Sequence, residues 1–141
     1  MMTRDIDEPG ATRPLSEEEC WRVLAAAPYG RIAASVAQEI DIYPINHFVV
    51  ERAIVFRTSP GTKLLELTIH RSVAFEVDGF DRDEAFSVVV KGDATEVERS
   101  AEIEAFERRG LESWAPEAKD RWVRITPRTV SGRVFSLAHA P

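Results

Sequence analysis

From Leu15 to Ala27 the apolar side chains recur at helical spacing. Trp21, Val23, Leu24 and Ala27 share one face, and Leu15 can staple onto Cys20. Ser16 followed three residues later by Glu19 is a capping box, and Pro28 predicts a stop near Ala27. The period then falls to two. Ile32, Ala34 and Val36 alternate with Arg31, Ala33 and Ser35, which is strand spacing. The polar step Ala37-Gln38-Glu39 leads into a second strand, Ile40 to Val50. Pro44 inside it marks an edge, a bulge or a special contact. Glu51-Arg52 is a two-residue turn without the usual glycine or asparagine, and Ala53 to Thr58 follows as a third strand. Strands this close in sequence pair as an antiparallel hairpin.

Ser59 and Pro60 then open a short helix carrying Leu64, Leu65, Leu67 and Ile69, with Ser59 as the expected cap. A fourth strand, Ser72 to Asp78, alternates Val73, Phe75 and Val77 with Ala74 and Glu76. The fifth, Phe86 to Val97, is long and interrupted at Gly92, a bulge or bend. Ser100 is the expected cap of a third helix to about Arg109, with Ile103 and Phe106 inward and Gly110 closing it. Trp122 to Thr126 and Val130 to Leu137, separated by Pro127, read as two final strands. The helices are too few for parallel winding. The pattern predicts a mainly β (α+β) fold: a six- to seven-stranded antiparallel barrel, closed or split, decorated by about three helices. Residues 1–14 read as a mobile arm and residues 15–141 as a single domain.

Composition narrows the partners. A chain of 141 residues suits one domain, and 44% hydrophobic with 30% charged residues is globular. The net charge of −6 argues against nucleic acid, whose phosphates need clustered Lys and Arg. The single cysteine, Cys20, precludes an intrachain disulfide, and His47, His70 and His139 lie too far apart for a zinc motif, so no metal site is expected. No apolar run approaches a membrane span, and the polar start lacks a signal-peptide core. The expectation is a cytoplasmic protein with no membrane partner.

Two segments carry candidate chemistry. Arg57-Thr58-Ser59-Pro60-Gly61-Thr62-Lys63 places hydroxyls, a glycine and a lysine where a strand hands over to a helix. Hydroxyl donors and an ammonium there form a phosphate cradle, or an ordinary capped helix with a surface lysine; the P-loop spacing is absent. Tyr43-Pro44-Ile45-Asn46-His47 can present backbone groups to a flat heterocycle, or be an edge strand facing water. Cys20 falls on the buried face of the first helix, and His47 reads as a structural histidine. Trp114 and Trp122 are left open between core, dimer seam and cofactor wall.

Several segments, in order, resemble one family. They are Ala27-Pro28-Tyr29-Gly30-Arg31-Ile32-Ala33, Pro44-Ile45-Asn46 and Ile54-Val55-Phe56-Arg57-Thr58 leading into Gly61-Thr62-Lys63-Leu64. Val73-Ala74-Phe75-Glu76-Val77 and Ser87-Val88-Val89-Val90-Lys91-Gly92 complete the set. Over Leu15 to Phe135 the chain resembles the pyridoxamine 5′-phosphate oxidase-like FMN-binding split barrels, in particular their small bacterial branch. The resemblance implies a homodimer with FMN sites at the subunit interface. It implies that Asp41 to Asn46, with Ile42, Tyr43, Pro44, Ile45 and Asn46, runs along the isoalloxazine ring. It further implies that Arg57, Thr58, Thr62 and Lys63 hold the ribityl phosphate and that Ser87 lies near the flavin. Relatives of this barrel also bind deazaflavin or haem.

The leading expectation is an FMN-dependent oxidoreductase acting on a small-molecule substrate; the alternative is a non-catalytic carrier of flavin, deazaflavin or haem. A true pyridoxamine 5′-phosphate oxidase is not expected. The arginine–x–histidine element of those enzymes reads Arg133-Val134-Phe135 here, so its arginine is present and its histidine position is apolar.

Overall fold

A computed structural model describes residues 11–110 and 121–137 of the chain. Its first helix, α1 (Glu17–Ala26), starts on the expected capping box. The Glu19 N–H donates to Ser16 Oγ at 3.1 Å and the Ser16 N–H donates to the Glu19 carboxylate at 2.9 Å. Ahead of it, Thr12–Pro14 forms a strand, β1, antiparallel to the end of the chain, with Thr12 opposite Phe135. This corrects the expected mobile arm for those three residues; residues 1–10 lie outside the described part. Three residues are too few to show a period, so the pattern held no sign of β1. Its ties are ladder bonds and one fork: the two terminal guanidinium nitrogens of Arg13 reach the two Glu19 oxygens at 3.1 Å each.

The other strands are β2 (Tyr29–Val36), β3 (Glu39–Asn46), β4 (Phe48–Val50), β5 (Ala53–Thr58), β6 (Arg71–Phe80), β7 (Glu84–Val97) and β8 (Arg121–Ser136). They pair antiparallel in the order β3-β2-β6-β7-β8-β5-β4, and β1 adds to β8. The sheet curls until β3 approaches β5 without a ladder between them, which makes the expected split barrel. Two strand assignments need correction. The expected strand from Ile40 to Val50 breaks at His47 into β3 and β4. The two expected C-terminal strands are one, because β8 runs through Pro127. Lys91 faces Thr129 and Gly92 faces Pro127, so the register skips Arg128, and the proline's missing donor falls at that irregularity. A Cβ on Gly92 would run into the Thr126 carbonyl. The hairpins β2–β3 and β4–β5 close on Ala37-Gln38 and Glu51-Arg52. All four residues have positive φ, between 50° and 69°, as the primed two-residue turn requires.

The barrel interior holds Ile32, Phe56, Phe75, Val88, Val90 and Ile125, all fully buried. The α1 helix lays Cys20, Trp21 and Leu24 onto this core. Burial pushes the Cys20 thiol pKa up, which keeps it protonated and inert. A second cluster lies on the other face of β5 and β8. There Phe106 of α3 (Ser100–Arg108) packs with Phe48, Val55, Val97 and Trp122. The cap of α3 is Arg99 rather than Ser100, without a side-chain cap bond; Arg124 of β8 holds this helix through Glu102. Trp122 is thus core, and Phe86 packs partly buried on the main core. Of the three places left open for Trp122, the structure thus gives the core; Trp114 lies outside the described residues. Among the described residues the exposed large apolar side chains are Ile40, Ile42, Phe80 and Tyr29.

The Arg13 fork and the Ser16 N–H hold the Glu19 carboxyl at about 2, below its ordinary 4.5. A depressed carboxylate stabilises the fold fully above its unfolded value and loses that contribution as pH falls through its folded one. Glu19→Gln is therefore expected to melt below the wild type at pH 7, with the gap closing as pH falls from about 4.5 towards 2. Paired melting curves by circular dichroism across that range check it; a gap independent of pH would remove the ion pair as its cause.

Candidate functional site

The loop after β5 leads into α2 (Lys63–Thr68). Thr62, not Ser59, is its cap. The Leu65 N–H donates to Thr62 Oγ1 at 3.2 Å, and that hydroxyl donates to the Ser59 carbonyl at 2.9 Å. With this proton committed, the Thr58 hydroxyl is the donor across the 3.0 Å Thr58–Thr62 contact. Ser59 and Pro60 belong to the preceding turn, because Gly61 at φ +74° redirects the chain after them, a conformation that suits glycine. The structure brings Thr58, Thr62 and Lys63 together. It commits the Thr62 hydroxyl to shaping the turn, and aims the buried Thr58 hydroxyl at it. Lys63 is different: its side chain is 63% exposed and its Nζ lies 3.8 Å from Asp41 Oδ1 of β3. The first-turn N–H groups of Lys63 and Leu64 have no partner within the helix.

Arg57 is not part of this group. Successive strand residues face opposite ways, so Arg57 points away from Thr58, and its guanidinium lies 5.4 Å from the Trp122 ring centroid. β3 divides in the same manner. Tyr43 packs on the core and Ile45 is buried in it, while Ile42 and Pro44 face outward and are exposed. Asn46 stands opposite Tyr29, at the end of the hairpin away from its turn. Ser87 has a different neighbourhood again, between Asp78 of β6 and Arg133 of β8. His47 is buried at the break between β3 and β4. Its Nε2 donates to the Leu24 carbonyl at 2.8 Å, its ring meets Phe75 edge-on at 4.7 Å, and burial lowers its pKa. It is a neutral structural histidine, as expected.

One polar cluster was missed in the sequence. Arg31 Nη1 of β2 lies 2.8 Å from Glu76 and 3.4 Å from Asp78, both on β6. Burial first, and then the neighbouring Asp78, raise the Glu76 carboxyl above its ordinary value. The signal was present as charges at alternate strand positions, but it becomes a cluster only once β2 and β6 are known to be neighbours in this register. Among the described residues no three His, Cys, Asp or Glu side chains gather as metal ligands, and no helix is long and apolar enough to cross a membrane.

The Thr62 cap makes a measurable contribution. Thr62→Ala is expected to lower stability by about 1 kcal/mol, the ordinary worth of such a cap, and Thr62→Ser to recover most of it. Urea denaturation of the three proteins tests this; equal midpoints would show that the hydroxyl contributes nothing.

Comparison with known proteins places this geometry. Residues 16–134 match the family model described as pyridoxamine 5′-phosphate oxidase. The uncharacterized protein Rv0080 of Mycobacterium tuberculosis is 34% identical over 136 residues, which is 90% of this chain and 88% of that protein. The solved FAD binding protein from Mycobacterium smegmatis is 38% identical, with a TM-score of 0.80 over 89% of this chain and 100% of that one. A FAD-binding protein from Mesorhizobium loti is 25% identical, with a TM-score of 0.75 over 89% and 99% of the two chains. By the reach of the family match and the shared barrel, this chain belongs to the pyridoxamine 5′-phosphate oxidase-like family.

Proposed function

We propose that the protein binds a flavin nucleotide and serves as a flavin-dependent oxidoreductase. The observation that carries this reading is the loop–helix junction after β5, where the exposed Lys63 brings its Nζ to 3.8 Å from Asp41 of the edge strand β3, whose opposite face exposes Ile42 and Pro44. The residues fit the group. The Lys63 ammonium and the first-turn amides suit a phosphate. Outward-facing Ile42 and Pro44 offer an apolar wall to a flat ring, with Asn46 at its far end. Thr58 and Thr62 support the site by fixing the turn that presents Lys63. The solved relatives from M. smegmatis and M. loti are FAD-binding proteins by name, which supports a flavin over deazaflavin or haem. FMN, the cofactor expected from the sequence, shares the ribityl phosphate with FAD, and this site reads that shared part.

A bound flavin supplies the redox chemistry; the chain's part is to hold, orient and shield it. Ile40 and Ile42 are 69% and 64% exposed on the edge strand, and Phe80 is 80% exposed. Such exposed apolar side chains support a homodimer in which a second copy covers them, with the cofactor between subunits.

Mass analysis of the cofactor released on denaturation is expected to find FMN or FAD, and Lys63→Ala to weaken its binding by roughly 1.5–3 kcal/mol. Fluorescence titration of flavin into apo protein measures the second; an unchanged affinity would remove Lys63 from the site. Turnover of the bound flavin with a reduced nicotinamide is expected of the oxidoreductase; bound flavin that no reduced nicotinamide reduces would favour the carrier.

We also infer that the substrate is not pyridoxamine 5′-phosphate. Arg133 stands on β8, but Phe135 occupies the position where the oxidases carry a histidine. A site missing half of a phosphate-pairing element loses most of its discrimination. The flavin-loaded protein is expected to release no hydrogen peroxide above background from pyridoxamine 5′-phosphate; saturable turnover would overturn the inference.

A further inference from the structure

The ladder between β2 and β6 covers only Arg31–Ala34 against Val73–Glu76, although β6 runs on to Phe80 and β2 begins at Tyr29. Past the Arg31–Glu76 pair the two strands part. A cavity of about 490 Å³ fills the gap. Val23 and Ala26 of the last turn of α1, Pro28 and Tyr29 at the start of β2, and Phe86 of β7 line it. This volume lies in the range of small-molecule sites. It is walled by apolar groups with a narrow polar margin.

That margin has a definite chemistry. Arg31 and Asp78 line the cavity side by side, 3.4 Å apart. Arg31 is held in place from behind by Glu76 at 2.8 Å. A guanidinium beside a carboxylate presents a donor next to an acceptor. Their complement is a planar group that carries its own acceptor and donor side by side: a lactam, an imide or a carboxamide. Arg22 of α1 lines the cavity as well, so an ammonium would meet two guanidinium groups, while a free carboxylate or phosphate placed on this edge would meet Asp78 as a like charge. The parted strands add a second element. Val77 and Asp78 line the cavity where β2 no longer pairs with β6, so that side of β6 is an open strand edge with backbone donors and acceptors.

We propose that this cleft binds a neutral, flat heteroaromatic molecule by a lactam or carboxamide edge, read by Arg31 and Asp78, with its rings against Pro28, Tyr29 and Phe86. The site lies away from the Lys63 junction but adjoins the outward face of β3. In the β2–β3 hairpin, Asp41 faces Ala34 near the turn, whereas in the cleft Arg31 faces Pro44 and Tyr29 faces Asn46 at the open end. The inference is carried by Arg31, Asp78 and the cavity, and does not rest on Lys63 holding a flavin phosphate.

The test is a titration of the purified full-length protein, followed by ¹H–¹⁵N spectra, with three probes of one shape. They are quinolin-2-one, its 2-methoxyquinoline isostere without the N–H, and quinoline-2-carboxylate. Quinolin-2-one is expected to shift the amides of Gly30, Arg31, Val77 and Asp78 saturably. It should bind about tenfold more tightly than either of the others, the worth of one well-made hydrogen bond. Asp78→Ala should remove that preference, and Ala26→Trp, on the exposed side of α1, should block all three probes. Equal affinity for the three probes would overturn the proposal. So would a preference that survives Asp78→Ala, or shifts that map to Asp41 and Lys63. The melting temperature of each variant, measured alongside, separates a lost site from a lost fold.

Discussion

One strand has to serve three neighbours. β8 pairs with β7 along nearly its whole length, with β1 near its end and with β5 near its start, so every other part of the barrel is placed by how it bends. A sixteen-residue strand paired along its length would stay on one smoothly twisted surface. The skipped residue at Arg128 sharpens the turn, and Gly92 allows the opposing backbones to close up there. Above the bend β8 backs the second cluster through Trp122; below it, β8 continues the barrel towards β1 and α1. Both hydrophobic clusters therefore share one strand as a wall.

Much of this was legible in the chain. The capping box at Ser16 and Glu19, the stop at Pro28 and the period-two runs of β2, β5, β6 and β7 all express local preferences that the tertiary structure then uses. What escaped the pattern has a common cause. β1 is held by ladder bonds and a fork to Glu19, neither of which leaves a hydrophobic period. The union of the last two strands across Pro127 depends on the residue opposite the proline, ninety-odd positions into the chain on another strand. The cap of α2 moved from Ser59 to Thr62 because three candidate hydroxyls stood close together. Which of them caps is decided by the left-handed Gly61 between them.

The same distinction governs the site. Neighbourhood in sequence placed Arg57, Thr58, Thr62 and Lys63 in one group, but strand alternation sends Arg57 to the other face of the sheet, over Trp122. Conversely, Arg31 is more than forty positions from Glu76 and Asp78 and meets them through register alone. Sequence motifs name the residue types that chemistry needs, and sheet geometry decides which of them meet.

The two hairpin tips carry a further consequence. Ala37, Gln38, Glu51 and Arg52 hold a left-handed backbone with ordinary side chains, at a cost of roughly 1 kcal/mol each against the right-handed form. The ladders on either side bear this strain so that strand lengths and register stay fixed. The protein thus keeps an unspent margin at its surface. Asparagine or glycine at these tips would relieve strain without touching core, cleft or loop–helix junction. A lineage that lost stability while altering its chemistry would have a place, remote from that chemistry, to recover it.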